Sequence, residues 1–274
     1  MNSNILKKKV LFLLHLHKMN ASLKTRYFLR LSFNGASFHG WQSQHNAPSI
    51  QSTLRDALTV VLREPVEVTG AGRTDAGVHA HEFFAHFDHQ VELSISERNE
   101  LVYHLNGYLP EAISIQEIMP VREDAHARFS ARSRTYQYFI TRKKDPFQPD
   151  LSWHYPGKLD IALMNRGAEI LKSNLDFTSF AKLPKETKTN ICHVEYAKWE
   201  EQEDLLVFTI TADRFLRNMV RAVVGTLIEL GRGKISLDDI YRIIQLKDRR
   251  EAGYSVPANG LFLVSIKYPE EIFL

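Results

Sequence analysis

Alternation of apolar and polar positions predicts several strands in the first half of the chain. In residues 27–33 every second position is apolar, which is typical of a strand with one well-buried face. Residues 83–87 repeat this pattern, and shorter apolar runs at 66–68 and 113–118 predict two further strands. These segments favour sheet structure between residues 27 and 118.

Apolar residues at helical spacing lie between the predicted strands. Between Pro48 and Pro65 they form one face of an amphipathic helix of about four turns, and a second helix is predicted near residues 97–105. The second half follows a similar order. It has predicted strands at 135–141, 192–199 and 205–211, a helix at 161–171 and a long helix from Arg214.

The repeated order predicts an α+β fold built from two copies of one unit. Strands outnumber helices, and hairpins mix with crossovers, so we expect mixed or antiparallel sheets with helices on one face. Pro120 and a charged run interrupt the pattern near residues 120–132. We therefore expect an N-terminal domain at 26–125, a C-terminal domain at 126–274, and a disordered extension at 1–25.

Composition is that of an ordinary globular protein: 274 residues, 44% hydrophobic and 24% charged. The single cysteine, Cys192, excludes an internal disulfide framework and favours a reducing compartment such as the cytoplasm.

Residues 7–14 resemble the start of a signal peptide, but His15 and His17 interrupt the apolar run. It is also far shorter than the roughly 20 residues of a membrane span, so no membrane association is expected.

Basic residues concentrate in one stretch, although the net charge is only +3. Residues 122–144 hold seven basic and two acidic side chains, a local excess of 7 − 2 = 5 positive charges. Such a stretch suits contacts with nucleic-acid phosphates. The alternative is a solvated strand edge protected by charge, and the sequence leaves both open.

Asp75 is the first candidate for chemistry. It lies in a glycine-rich stretch, Gly70 to Gly77, where nothing bulky blocks the approach of a polymer backbone. The phosphate-binding and dinucleotide-binding motifs are both incomplete here. Arg73, two residues away, could probe RNA or be a surface arginine. The alternative for Asp75 is an ordinary turn in which the carboxylate bonds its own backbone.

Further candidates lie in the second half. Arg214, Arg217 and Arg221 follow the spacing i, i+3, i+7 and would share one face of the predicted helix. An arginine there could hold a carboxylate ionised and oriented, or all three could be solvated. Tyr136 and Tyr138 alternate on a predicted strand, where each could pack in the core or stack on an extruded base.

Metal binding is not expected. His79, His81 and His86 are close in sequence, but no carboxylate or further histidine completes a convincing set of ligands. Cys192 lies in a predicted strand, which indicates a buried thiol. These residues therefore predict no metal site.

Six short segments of the chain form a recognisable set. They are GASFHGWQ at 35–42, GRTDAGVH at 72–79, ARFSA at 127–131, DFTSF at 176–180, FLRNMVR at 215–221 and PANGL at 257–261. Taken together, they resemble the tRNA pseudouridine synthase A family, in which GRTDAGVH corresponds to the catalytic signature. They occur in the family's order across residues 26–269, nearly the whole chain.

The resemblance implies a role for five residues. Asp75 would be the catalytic aspartate, Tyr136 would stack on the target base, and Arg73 would help to extrude it. Arg221 would pair with Asp75, and Leu261 would form an apolar wall of the pocket. The extension before Arg26 departs from typical members of the family.

The resemblance also implies a cofactor-free isomerase that converts uridine to pseudouridine at positions 38 to 40, in the anticodon stem-loop of tRNA. Two pseudo-symmetric halves would meet in a basic cleft, and a homodimer would bind tRNA across its subunits. The aspartate would act at C1′, at C6 or through a glycal, and the sequence does not choose among these routes. The alternatives are a catalytically silent RNA-binding protein, a synthase with other targets, and a metabolic α+β enzyme.

Overall fold

The computed structural model describes residues 24–146, 150–182 and 189–274. The extension predicted for residues 1–25 lies outside these ranges except for Lys24 and Thr25, and Thr25 already belongs to the first strand. The strands are β1 Thr25–Phe33, β2 Thr69–Gly70, β3 His79–His89, β4 Ile113–Val121, β5 Ser133–Thr141, β6 Trp153–His154, β7 Val194–Gln202, β8 Leu205–Ala212 and β9 Leu261–Lys267. The α-helices are α1 Ile50–Leu62, α2 Ile95–Tyr108, α3 Ile161–Lys172, α4 Met219–Gly231 and α5 Leu237–Leu246.

The nine strands found in the described residues belong to one sheet. Its order is β4-β1-β3-β9-β5-β8-β7, with β2 paired to β3 and β6 paired to β5. Neighbouring strands are antiparallel except at β3–β9 and β5–β6. The predicted α+β class with mixed, mostly antiparallel sheet structure is confirmed.

The two halves of the sheet join through a very short parallel contact. Only two residue pairs connect β3 to β9, namely His79 with Phe262 and Ala80 with Leu263. Beyond them the strands separate, and the Glu82 carboxylate spans the gap by accepting a hydrogen bond from the Ile266 N–H at 3.0 Å. Since β3 and β9 begin at this junction, the loops that precede them are brought side by side.

Each half has its own hydrophobic core. The first core contains β1, β3 and β4 with α1 and α2, and the second contains β5, β7 and β8 with α3 to α5. The C-terminal residues Ile266 and Ile272 pack in the first core. The chain therefore crosses back after building the second core, and the division into domains at 26–125 and 126–274 stays a prediction.

Side-chain caps explain where several helices begin. Ser49 caps α1, Asp160 caps α3, and Ser94 with Glu97 forms a capping box at the start of α2.

The strand predicted at 66–68 is wrong by a few residues, because the strand β2 consists of Thr69 and Gly70. Among the described helices, none is long and apolar enough to cross a membrane.

The helix predicted to begin at Arg214 begins at Met219. The backbone of Asn218 is left-handed, with φ +65°, and so cannot continue a right-handed helix. Asp213 holds the preceding segment in another conformation, because its Oδ1 accepts hydrogen bonds from the N–H groups of Arg214 and His193. The prediction that Arg214, Arg217 and Arg221 share one helical face is therefore wrong.

Candidate functional site

Asp75 lies in the loop between β2 and β3, which is docked against residues 35–41. The Trp41 N–H donates to the Thr74 carbonyl, and the Gly77 N–H donates to the Phe38 carbonyl, both at 3.3 Å. At Gly40, where φ is +87°, a Cβ atom would lie 2.3 Å from the Thr74 carbonyl oxygen. The two loops can approach this closely only because residue 40 has no side chain.

A second glycine contact fixes the end of the same loop. A Cβ atom on Gly35 would lie 2.0 Å from the carbonyl oxygen of Val78, and the Gly35 N–H donates to His79 Nδ1 at 3.2 Å. Burial lowers the pKa of His79, which favours the neutral imidazole that this acceptor role requires. The rings of His79 and His81 both stack on Phe262, at 4.5 and 4.9 Å between centroids. These histidines therefore support the junction of the two halves.

Arg221, from the first turn of α4, reaches across the junction to Asp75. Its Nη1 lies 3.3 Å from Asp75 Oδ2, and its Nε donates to the Val256 carbonyl at 2.7 Å. Side-chain exposure is 20% for Arg221 and 27% for Asp75, so the carboxylate is held but remains reachable. The pairing implied by the family resemblance is present in the structure.

Glycine packing brings the Val256 carbonyl to Arg221. A Cβ atom on Gly225 would lie 1.9 Å from the Tyr254 carbonyl oxygen, and one on Gly253 would lie 2.5 Å from the Thr226 nitrogen. The segment before β9 can therefore lie directly on α4. Sequence reasoning missed this segment, although a glycine within an apolar helix was an available signal.

Tyr136 and Tyr138 have different environments. The half-buried Tyr136 packs edge-to-face on Phe215 at 5.0 Å between centroids. Burial raises the pKa of its phenol to about 12, and the negative charge of Asp75 acts in the same direction. Tyr138 is fully buried and donates from its hydroxyl to the Pro257 carbonyl at 2.8 Å. Of the two tyrosines, only Tyr136 keeps part of its surface open, and the charge of Asp75 acts on its phenol.

Leu261 and Cys192 both lie in the core. Leu261, 5% exposed, opens β9 opposite Tyr138 and packs with the second core. Cys192 is buried and free as predicted, although it lies before β7 and not in a strand, and burial raises the pKa of its thiol to about 12. The high pKa makes this thiol unreactive near neutral pH.

Four arginines form a cluster close to the Asp75 loop: Arg73, Arg128, Arg134 and Arg214. Partial burial lowers the pKa of the Arg128 guanidinium, and the charges of the other three lower it further. Arg73 is exposed. Because like charges raise the free energy of an empty cluster, this arrangement favours an anionic partner.

Arg134 anchors the cluster, and sequence reasoning did not single it out. It donates to the carbonyls of Asp213 at 2.9 Å, Ala71 at 3.1 Å and Arg128 at 2.6 Å. These bonds connect the start of the Asp75 loop to the second half of the protein. The basic stretch 122–144 therefore contains two kinds of residue. Arg128 and Arg134 belong to the arginine cluster, whereas Arg122, Arg132 and Lys143 form surface ion pairs.

Comparison with known proteins identifies close relatives. A sequence profile described as tRNA pseudouridine synthase matches residues 174–269. The chain is 51% identical over 248 residues to "tRNA pseudouridine synthase A" of Parabacteroides distasonis, covering 90% of this chain and 98% of the relative. A relative of the same name from Bacteroides thetaiotaomicron is 49% identical over 251 residues, covering 90% and 92%. The one from Aliivibrio salmonicida is 38% identical over 249 residues, covering 90% and 94%.

Proposed function

Because this chain belongs to the tRNA pseudouridine synthase A family, we propose that it isomerises uridine to pseudouridine in the anticodon stem-loop of tRNA, at positions 38 to 40. The observation that carries the proposal is the contact between Asp75 and Arg221 at the junction of the two halves. A protein that only bound RNA would need neither the carboxylate nor the cation that holds it.

Asp75 is the proposed reacting group. The reaction breaks the N1–C1′ and C5–H bonds of uridine and forms C5–C1′ and N1–H bonds, so there is no net gain or loss of atoms or electrons. A carboxylate can serve this rearrangement if it is ionised and aimed at the target nucleotide. The Arg221 Nη1 lies 3.3 Å from Asp75 Oδ2, and the bond from its Nε to the Val256 carbonyl fixes the direction of the guanidinium.

The remaining residues are proposed to receive the target base. Extrusion of a stacked base costs a few kcal/mol, which contacts with the protein must offset. Tyr136 is near enough to Asp75 for the carboxylate charge to act on its phenol, and it offers an aromatic ring for stacking. Arg73, which is exposed, is proposed to assist extrusion, and Leu261, which pairs with Tyr138 between β9 and β5, is proposed to form an apolar wall of the pocket. The arginine cluster would bind the RNA backbone.

We also propose that the protein is a cytoplasmic homodimer that binds tRNA across its subunits. This part of the proposal is supported by the family resemblance, and the single buried cysteine is consistent with a reducing compartment. Light scattering coupled to gel filtration would measure the mass in solution, and a monomer at micromolar concentration would contradict it.

The proposed function can be tested with unmodified tRNA transcripts. Wild-type protein and the Asp75→Asn variant would be incubated with tRNA without added metal or nucleotide, and pseudouridine would be mapped by chemical labelling and primer extension. We expect product in the anticodon arm with wild type only, while Asp75→Asn still binds tRNA. A folded wild-type protein that binds tRNA and forms no product would indicate a silent RNA-binding protein.

A further inference from the structure

Phe129 has an unusual position for a phenylalanine. It is 73% exposed, whereas every other phenylalanine in the described ranges is buried or half-buried. Exposure of so large an apolar side chain brings no benefit to folding. Phe129 belongs to the ARFSA segment at 127–131, in which Arg128 is a member of the arginine cluster and Phe129 itself has no role in the proposed function.

The loop that carries Phe129, residues 125–130, is fixed by internal hydrogen bonds. His126 Nδ1 accepts from the N–H groups of Arg128 and Phe129, at 3.1 and 3.4 Å. The Ser130 N–H donates to the His126 carbonyl, and Ser130 Oγ accepts from the His126 N–H, both at 2.9 Å. The backbone on both sides of Phe129 is therefore held in one conformation.

Bonds from the rest of the protein fix the same loop from outside. His86 Nδ1 accepts from the Ala127 N–H at 3.1 Å, and the Tyr268 hydroxyl donates to the Ala127 carbonyl. Arg26 donates to the Ala125 carbonyl at 3.0 Å. Phe129 is thus an exposed aromatic ring on a rigid support, so little conformational entropy would be lost when a ligand binds to it.

The surroundings of the ring indicate what that ligand is. The Arg128 guanidinium carbon lies 5.5 Å from the Phe129 ring centroid, and the His126 ring packs against it at 4.4 Å. Arg134 joins the Arg128 carbonyl to the Ala71 carbonyl, at the start of the loop that carries Asp75. An aromatic ring beside an arginine cluster matches a nucleotide, which has an apolar base face and an anionic phosphate.

We propose that Phe129 is a base-stacking residue that receives an unpaired base of the tRNA next to the target uridine, while Arg128 binds the adjoining phosphate. This inference rests on the proposed function for the identity of the RNA. Stacking on Phe129 would hold a neighbouring nucleotide outside the helical stack while the target occupies the site near Asp75.

The test measures tRNA affinity as a function of salt concentration, with the same transcript for every variant. Phe129→Ala is expected to weaken binding about 5- to 150-fold, the range for loss of one base stack. The slope of log K against log salt should not change, because no phosphate contact is lost. Arg128→Gln is expected to lower the magnitude of that slope by about 0.7, the value for one phosphate of a single strand.

Two comparison variants separate stacking from other effects. Phe129→Tyr keeps an aromatic ring and should restore most of the affinity. Tyr103→Ala removes a ring of similar exposure, 76%, from α2 and should bind tRNA as wild type does. Both Phe129 variants should keep the wild-type melting temperature, because the side chain has little contact with the core.

The outcomes distinguish this inference from the proposed function. If wild type forms pseudouridine and Phe129→Ala binds tRNA with wild-type affinity, the stacking role is overturned and the activity stands. If wild type binds tRNA without forming product, the activity is overturned and the affinity comparison still decides the role of Phe129. A wild-type protein with no tRNA affinity at low salt overturns both.

Discussion

At the scale of single residues, the position of the Asp75 carboxylate depends on the shape of the Arg221 side chain. Arg221 uses two separate N–H groups, Nε toward the Val256 carbonyl and Nη1 toward Asp75. Lysine presents one ammonium group on a flexible stem and cannot reproduce this fixed pair of directions. The contact therefore requires the guanidinium as well as its charge.

We predict that Arg221→Lys lowers the single-turnover rate on tRNA by about 100-fold, the order of effect expected when a reacting group is misplaced by about 1 Å. Its affinity for tRNA should stay close to that of wild type. Arg217→Lys is the matched control, since Arg217 is exposed and lies before α4. Equal rates for Arg221→Lys and wild type would mean that positive charge alone is sufficient.

Gly40 controls the same carboxylate through the backbone. An alanine there would place Cβ 2.3 Å from the Thr74 carbonyl oxygen, and the φ of +87° would add strain of roughly 1–3 kcal/mol. We predict that Gly40→Ala lowers the free energy of unfolding by at least this amount and abolishes product formation. Urea denaturation and the tRNA assay would measure the two effects.

Gly72→Ala is the control for this prediction. A Cβ atom on Gly72 would meet no other atom within 4 Å. The substitution should leave the free energy of unfolding unchanged or raise it by up to about 1 kcal/mol, by reducing the freedom of the unfolded chain. If both glycine variants behave alike, the contact between the two loops does not position Asp75.

At the scale of elements, loop 125–130 depends on neutral histidines. Burial lowers the pKa of His86 to about 4, and burial also lowers the pKa of His126. Each imidazole accepts a backbone hydrogen bond through Nδ1, which protonation would convert into a donor. The loop that presents Phe129 is therefore sensitive to acid.

We predict that the free energy of unfolding decreases as the pH falls from about 6.5 toward 4. The folded pKa of His86 lies below its unfolded value of 6.5, so the unfolded chain takes up the proton first, and stability is complete only above pH 6.5. The full effect is on the order of 3 kcal/mol. Asp88 and Asp176 have lowered pKa values, so their contribution to the free energy of unfolding is lost only as the pH falls below about 3.8, the ordinary pKa of aspartate. That range lies outside the upper part of this pH window.

His86→Gln tests the assignment of this pH dependence. The amide oxygen of glutamine can accept the Ala127 N–H bond and does not titrate. Urea denaturation at pH 7, 6 and 5 should show a smaller decrease for the variant than for wild type. The same decrease in both proteins would assign the proton uptake to other groups.

Helix α4 illustrates the limit of periodicity at this scale. Apolar spacing correctly predicted a helix in this region, but its first turn was placed five residues too early. Local bonds from Asp213 and the left-handed backbone of Asn218 override the helical pattern between 214 and 218. Helix ends depend on such caps, whereas the helix interior depends on periodicity, which the sequence displays directly.

At the scale of the whole molecule, Arg134 connects the two halves. Its three carbonyl partners belong to the Asp75 loop, loop 125–130 and the end of β8. We predict that Arg134→Met lowers the free energy of unfolding by roughly 2–4 kcal/mol, because several hydrogen bonds to a charged donor are lost together. Product formation should fall as well, since the base of the Asp75 loop loses its anchor.

Arg132→Met is the control within the same basic stretch. Arg132 forms an ion pair with Glu271 in which both side chains are more than 60% exposed. Exposed pairs contribute about 0–1 kcal/mol, so urea denaturation should detect little change. Equal destabilisation by the two variants would show that the effect of Arg134 comes from net charge.

The sequence by itself determined the fold class and indicated a candidate for the reacting group. Strand alternation and helical spacing are local properties, and they predicted most elements within a few residues. The ordered segments from residue 35 to residue 261 carried the family resemblance and indicated Asp75, Tyr136 and Arg221. The prediction of the elements succeeded because backbone preference is encoded in consecutive residues, whereas the roles of the three residues stay predictions.

Only the tertiary structure decided which candidates meet. Asp75 and Arg221 are 146 residues apart, and they come together because β3 and β9 pair through two residues and then separate. The same packing buried Tyr138 and left Tyr136 partly exposed. It also brought Arg134 within hydrogen-bond distance of carbonyls from both halves. Distances between remote side chains depend on how sheets, glycines and carbonyls pack, and no local pattern in the chain records that packing.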